Sequence, residues 1–185
     1  MIFHDHSRIK GSHAFLAPSS PYWLNYSEEK LIERWRNAKA AERGTILHDW
    51  AAQTISLGQK LPRSQRTINM YVNDALGYRM TPEVPLYFSD NCFGTTDAIA
   101  FNKNTLRISD LKTGISPVHM EQLEIYAALF CLEYHIKPID IHTELRIYQN
   151  DEILLHEPDG YDIEAIIDRI KDSDKILKQM QEEGE

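Results

Sequence analysis

The sequence predicts an α/β (α+β) single domain: a central mixed β-sheet with helices on its flanks. Three observations predict it. Apolar residues recur at helical spacing before residue 80, and then alternate strictly from Thr81 into a hairpin around Asn102-Lys103-Asn104. Helical and alternating stretches interleave from there to the end. A chain of 185 residues is long enough for one sizeable core, and its 42% hydrophobic and 26% charged content is ordinary for a globular protein.

The domain is expected to span 1–185, with a helical part over 1–80, a sheet core over 81–158 and a closing helix over 160–182. Residues 1–27 mix Ser, Pro, His and aromatics, and short helical turns are predicted around Ser12–Ala17 and Tyr22–Tyr26. From Glu28 to about Leu57 the composition is helical, in one or two pieces. Leu47, Trp50, Ala51 and Thr54 form a stripe at i, i+3, i+4, i+7, and Gly58 is a plausible stop. Trp23, Trp35 and Trp50 are expected in the core, and Arg34, Arg36, Lys39 and Arg43 on a solvated or phosphate-tracking face. Pro62 opens a helix predicted over Arg63–Arg79. Val84, Leu86 and Phe88 then alternate as a strand, with Glu83 read as an edge charge that discourages aggregation in preference to a further acid near the site.

The stretch from Cys92 to Gly114 reads as a hairpin with a two-residue turn at Lys103-Asn104. In that register Phe101 faces Leu106, Ile99 faces Ile108, Asp97 faces Asp110 and Thr95 faces Lys112, all on one face. Ser116-Pro117 looks like an N-cap followed by a first-turn proline, opening a buried helix that runs to about Ile136. Ile139 to Ile147 alternates again, Asn150-Asp151 makes a turn, and Ile153–His156 is a short partner strand. An amphipathic helix over Asp162–Gln181 completes the chain.

The net charge of −8 argues against a nucleic-acid partner only until its distribution is read. Residues 151–185 hold 12 acids against 4 bases, whereas residues 1–80 hold 11 Lys and Arg against 7 Asp and Glu. A basic surface on the N-terminal half is compatible with those numbers. Neither an apolar run of about 18 residues nor a secretory h-region is present, so no membrane span and a cytoplasmic location are expected. The two cysteines, Cys92 and Cys131, are expected to be reduced core residues; two thiols are too few for a four-thiolate iron–sulfur cluster.

Two carboxylates facing each other at a strand end repel, and buried charge needs a partner; a divalent cation between Asp97 and Asp110 is the simplest one. Lys112 follows two residues after Asp110. His48 stands one helical turn after Gly44, and Gln122 and Tyr126 share a helix face at i, i+4. Oxygen donors suit Mg²⁺, and an imidazole among them tilts the preference towards Mn²⁺. Such a cation lowers the pKa of water and neutralises a phosphate, while an ammonium stabilises developing negative charge. Taken singly, a helical His, a strand Asp or a Gln/Tyr pair is usually structural; the set is what points to chemistry.

The ordered motifs Arg43-Gly44-Thr45-Ile46-Leu47-His48, Gly94-Thr95-Thr96-Asp97, Ser109-Asp110-Leu111-Lys112-Thr113-Gly114 and Gln122-Leu123-Glu124-Ile125-Tyr126 resemble those of the PD-(D/E)XK nuclease superfamily. Within it they are most similar to the RecB-like exonuclease branch. The likeness covers residues 43–126. It implies a restriction-endonuclease-like core and a metal-dependent deoxyribonuclease using Mg²⁺ or Mn²⁺, exonuclease in preference to endonuclease. The cation would be held by His48, Asp97, Asp110 and the Leu111 main-chain carbonyl. Lys112 would be catalytic with Asp110 and Asp97, supported by Gln122 and Tyr126, and Arg43, Thr113, Gln122 and Tyr126 would meet substrate. DNA is the implied partner, alone or with a homo-oligomer or recombination protein. The iron–sulfur members of the branch carry four cysteines, whereas here Ala17 precedes Pro18 where a cysteine is expected. A small standalone nuclease of the kind carried by phages is the expected context. The rival expectation is a catalytically silent nucleic-acid-binding or assembly protein on the same fold.

Overall fold

The computed structural model describes residues 14–114 and 117–183. The chain, read from sequence as one domain, divides by its internal packing into two compact units, Met1–Arg43 and Gly44–Glu185. One helix, α1 (Glu28–Ser56), contributes to both, so the 28–57 stretch is a single helix.

In the first unit the short helical turn expected around Tyr22–Tyr26 is a 3₁₀ turn at Pro21–Asn25. Ser12 and His13, part of the other expected turn, lie outside the described residues. The Trp23 indole N–H donates to the Ala17 carbonyl at 3.2 Å. Phe15 and Trp35 meet edge to face, with ring centroids 5.1 Å apart. Trp35 is nevertheless 48% exposed, which corrects its placement in the core. Leu24 and Ile32 of the same unit are exposed as well.

The second unit is an α+β fold on a five-stranded mixed sheet in the order β1-β2-β3-β4-β5. Its strands are β1 (Thr81–Ser89), β2 (Cys92–Asn102), β3 (Thr105–Leu111), β4 (His142–Gln149) and β5 (Glu152–His156). Antiparallel pairing joins β1 to β2, β2 to β3 and β4 to β5; β3 and β4 run parallel. A parallel pair needs a long crossover, and α3 (Glu121–Glu133) lies within it. Lys103 and Asn104 both take positive φ, as do Asn150 and Asp151, so both tight hairpins turn through two left-handed residues. The expected register holds for Asn102↔Thr105, Phe101↔Leu106 and Ile99↔Ile108.

Each face of the sheet buries its own core. On one, Leu86, Ile99, Ile108 and Ile147 pack with Leu123 and Leu129 of α3 and Ile163 of α4 (Gly160–Glu183). On the other, Ala98, Leu111 and Tyr148 pack with Ala51 and Ile55 of α1 and Tyr71, Val72 and Ala75 of α2 (Thr67–Gly77). The buried α1 residues are Gly44, Ala51, Thr54 and Ile55, with Leu47 half-buried; Trp50 sits off this stripe at 43% exposure, another correction. Gly58 does end the helix, with φ +67°.

Helix boundaries moved where local hydrogen bonds compete with the helix. α2 begins at Thr67, not Arg63. Asn69 donates its side-chain amide to the Pro62 carbonyl and to Ser64 Oγ, both at 2.9 Å, which holds 62–66 as a loop. α3 begins at Glu121 and not at Pro117; the Met120 carbonyl receives its first N–H groups, and Ser116 lies outside the described residues. It ends at Glu133, just before His135 takes φ +55°. β4 starts at His142 because Pro138–Asp140 forms a 3₁₀ turn. Cys92 and Cys131 are free. Among the described residues no helix is long and apolar enough to cross a membrane.

Candidate functional site

The ladder between β2 and β3 ends at Ala98↔Ser109, so Asp97 and Asp110 occupy the next step of the same register, at the opening end of the hairpin. There the Asp97 carboxylate takes over the pairing. Its Oδ2 accepts the Leu111 backbone N–H at 2.8 Å and lies 3.2 Å from His48 Nδ1. Hydrogen bonding to Asp97 pushes the half-buried His48 above the usual imidazole range despite its desolvation.

Asp110 is only 4% exposed. Burial raises its pKa first and the Asp97 charge raises it further; Lys112 opposes both. Lys112 Nζ donates to Asp110 Oδ1 at 3.1 Å and to Gln122 Oε1 at 3.0 Å. It stands 3.0 Å from Asp110 Oδ2 as well, yet no hydrogen bond forms there, and Oδ2 is a buried acceptor without a donor among the described residues. Proximity without direction leaves that oxygen unsatisfied.

Two glycines let the site close. A Cβ on Gly44 of α1 would come within 2.8 Å of Thr113 Oγ1, so α1 approaches the loop after β3 at van der Waals limit. A Cβ on Gly94 would meet Tyr126 Cε1 at 2.9 Å, so the hydroxyl end of the ring packs against bare backbone. Tyr126 and Gln122 share one face of α3, as their spacing predicts, with Gln122 reaching Lys112 and Tyr126 reaching β2. Arg43 is exposed on α1 and belongs to the first unit.

Tyr71 is the residue that sequence reasoning missed, and Glu83 is the one it ranked too low, preferring an edge charge to a further acid near the site. Pro82 pairs with Ala98 and Val84 with Thr96, so Glu83 stands opposite Asp97, with its own φ at +53°. Its pKa is raised by desolvation and by Asp97, and lowered by His48, which places its carboxylate in the field of the same cluster. Glu83, Asp97 and Asp110 thus form an acidic row across three strands. The expected edge position is real, since β1 is an edge strand; the inward role came from pairing. Tyr71 of α2 is buried, and its phenol is pushed up by burial and by Asp97, Glu83 and Asp110. The left-handed φ of a non-glycine residue is the structural signal for Glu83; nothing local in the sequence marks Tyr71.

Among the described residues no three His, Cys, Asp or Glu side chains converge closely enough to cage a cation unaided. The carboxylates are turned instead to the nearest donors, Asp97 to Leu111 N–H and Asp110 to Lys112. The donor set still fits a hard divalent cation: an imidazole and two carboxylates, one of which has a buried oxygen that accepts no hydrogen bond among the described residues. Comparison with protein-family models, with curated proteins and with solved structures finds no match.

Proposed function

We propose that this chain is a metal-dependent DNA nuclease hydrolysing phosphodiester bonds, with the resemblance favouring exonuclease action. The observation that carries the reading is Asp110: a nearly fully buried carboxylate, beside a second carboxylate, whose Oδ2 accepts no hydrogen bond among the described residues although the Lys112 ammonium lies 3.0 Å away. A buried structural ion pair satisfies its oxygens; an unsatisfied one suits a ligand that is not protein. The mixed sheet covered by helices on both faces is compatible with the restriction-endonuclease-like core that the resemblance implies.

In this reading His48, Asp97, Asp110 and the Leu111 carbonyl hold Mg²⁺ or Mn²⁺, which supplies charge neutralisation at the phosphate and a more acidic water. The remaining work belongs to the chain. Asp97 fixes the β3 end by accepting the Leu111 N–H, which holds the Leu111 peptide in one orientation. Gln122 and Asp110 hold Lys112 between them, so its ammonium meets the phosphate without a search through rotamers. Tyr126, seated on Gly94, packs α3 against β2 and so fixes where Gln122 stands. Thr113 is exposed beside Lys112, where a phosphate oxygen can meet its hydroxyl.

Release of label from end-labelled linear DNA tests the proposal, with Mg²⁺, Mn²⁺ or EDTA and with a closed circular duplex alongside. Metal-dependent loss of the linear substrate that Lys112→Ala abolishes is expected, and survival of the circle would make the action exonucleolytic. If no substrate is cut while the folded protein still binds DNA, the silent binding module replaces the nuclease.

A further inference from the structure

Lys112 lines two cavities. One, of about 340 Å³, opens towards Gln122 and Gln149. The other, of about 380 Å³, is a cleft between the Lys112-Thr113 segment, the start of α2 and the turn joining β4 to β5. The second cleft contains a cation that the nuclease reading does not use. Arg66, immediately before α2, is exposed at its wall. Among the described residues its guanidinium makes no hydrogen bond or ion pair; its side chain acts only through the field it exerts on Asp151.

Asp151 explains why Arg66 and not the helix end would meet an anion there. Its Oδ1 accepts the Thr67 N–H at 2.8 Å and the Thr67 hydroxyl at 3.0 Å, capping α2 from the β4–β5 turn, 84 residues away in sequence. The first helical N–H is therefore taken, and the cap brings a negative charge that would repel a phosphate sitting at the helix axis. An incoming anion meets two cations in the cleft: the Lys112 ammonium, already shared between Asp110 and Gln122, and the Arg66 guanidinium, which has no hydrogen bond or ion pair among the described residues. Guanidinium is also the group best matched to a phosphate oxygen pair.

We propose that this cleft carries the nucleic-acid strand away from the site, and that Arg66 neutralises a backbone phosphate neighbouring the one attacked at Lys112. The proposal rests on the nuclease reading and adds to it a direction for the strand and a residue that holds it. Arg66 binds backbone and not a base edge, so its contribution is independent of sequence.

Fluorescence anisotropy of a labelled oligonucleotide, in EDTA so that nothing is cut, tests this by the salt dependence of binding. Each phosphate contact contributes about 0.9 to the slope of log K against log salt on duplex and about 0.7 on single strands. Arg66→Ala is expected to lower the slope by about that amount and to weaken binding to all sequences alike, and Arg66→Lys to restore most of it. Lys103→Ala, on the hairpin tip at the far end of β2 from the site, is expected to leave the slope unchanged. An Arg66→Ala protein with unaltered melting and an unaltered slope overturns the proposal while sparing the nuclease reading, as does an equal fall with Lys103→Ala, which would mean diffuse charge attraction. Wild-type protein that binds no nucleic acid overturns both.

Discussion

Asp110→Asn separates a metal ligand from a structural ion pair. The substitution keeps the shape and an acceptor for Lys112, and removes a carboxylate that burial and Asp97 both make costly to ionise. In EDTA at pH 7 the variant is therefore expected to melt at or above the wild-type temperature. With Mn²⁺ the ordering reverses. A ligand present at 100 times its dissociation constant stabilises the folded state by about 2.7 kcal/mol. For a chain of 185 residues, at roughly 2–4 °C per kcal/mol, that is a rise of roughly 5–11 °C for the wild type. Asp110→Asn, lacking the donorless oxygen, is expected to lose most of that rise. Differential scanning fluorimetry across a Mn²⁺ titration, with and without EDTA, reads both arms. A wild type indifferent to Mn²⁺, together with an Asp110→Asn protein that melts several degrees lower in EDTA, would refute the reasoning and leave Asp110 as half of a structural pair with Lys112.

Three further outcomes are expected. Gly160→Ala pushes a methyl to within 2.7–2.9 Å of the Pro138 and Ile139 backbone, which cannot rotate aside, so it should cost about 1–3 kcal/mol in urea unfolding. Gly94→Ala should cost a similar amount, about 1–3 kcal/mol, and Tyr126→Ala in the same chain should recover part of it, since the ring is the atom group the methyl meets; a double-mutant cycle measures the coupling. Asp174 accepts from Lys178, Ser89 and Asn91, which hold its carboxyl below the usual range. A depressed folded pKa gives stability that is full above the unfolded value near 4 and is lost as pH falls through the folded one. Asp174→Asn should thus lower the melting temperature at pH 7 and narrow the gap to wild type below pH 4.

Much of the hairpin was legible because its information is local. Alternation sets faces over a few residues, and Lys103-Asn104 accepts the left-handed φ a two-residue turn requires. The same reasoning placed Asp97 and Asp110 at one strand end, Lys112 beside them and Gln122 one helix face from Tyr126; the structure brings Gln122 to Lys112 and His48 to Asp97. Helix starts were read less well. A proline and a serine suggested early starts for α2 and α3, yet α2 waits for a cap supplied by Asp151 from the β4–β5 turn.

The sequence by itself determined the order of elements, the hairpin register and the identity of the charged groups at its end, since each depends on φ preferences and periodicities spanning under about ten residues. Tertiary structure alone decided that Glu83 faces Asp97, that Tyr71 is buried within the field of three carboxylates, that β3 pairs in parallel with β4, and that Trp35 and Trp50 stay largely in solvent. Those facts depend on which distant segments pack together, and contact between segments is selected by total burial and loop closure, which no short window of residues contains.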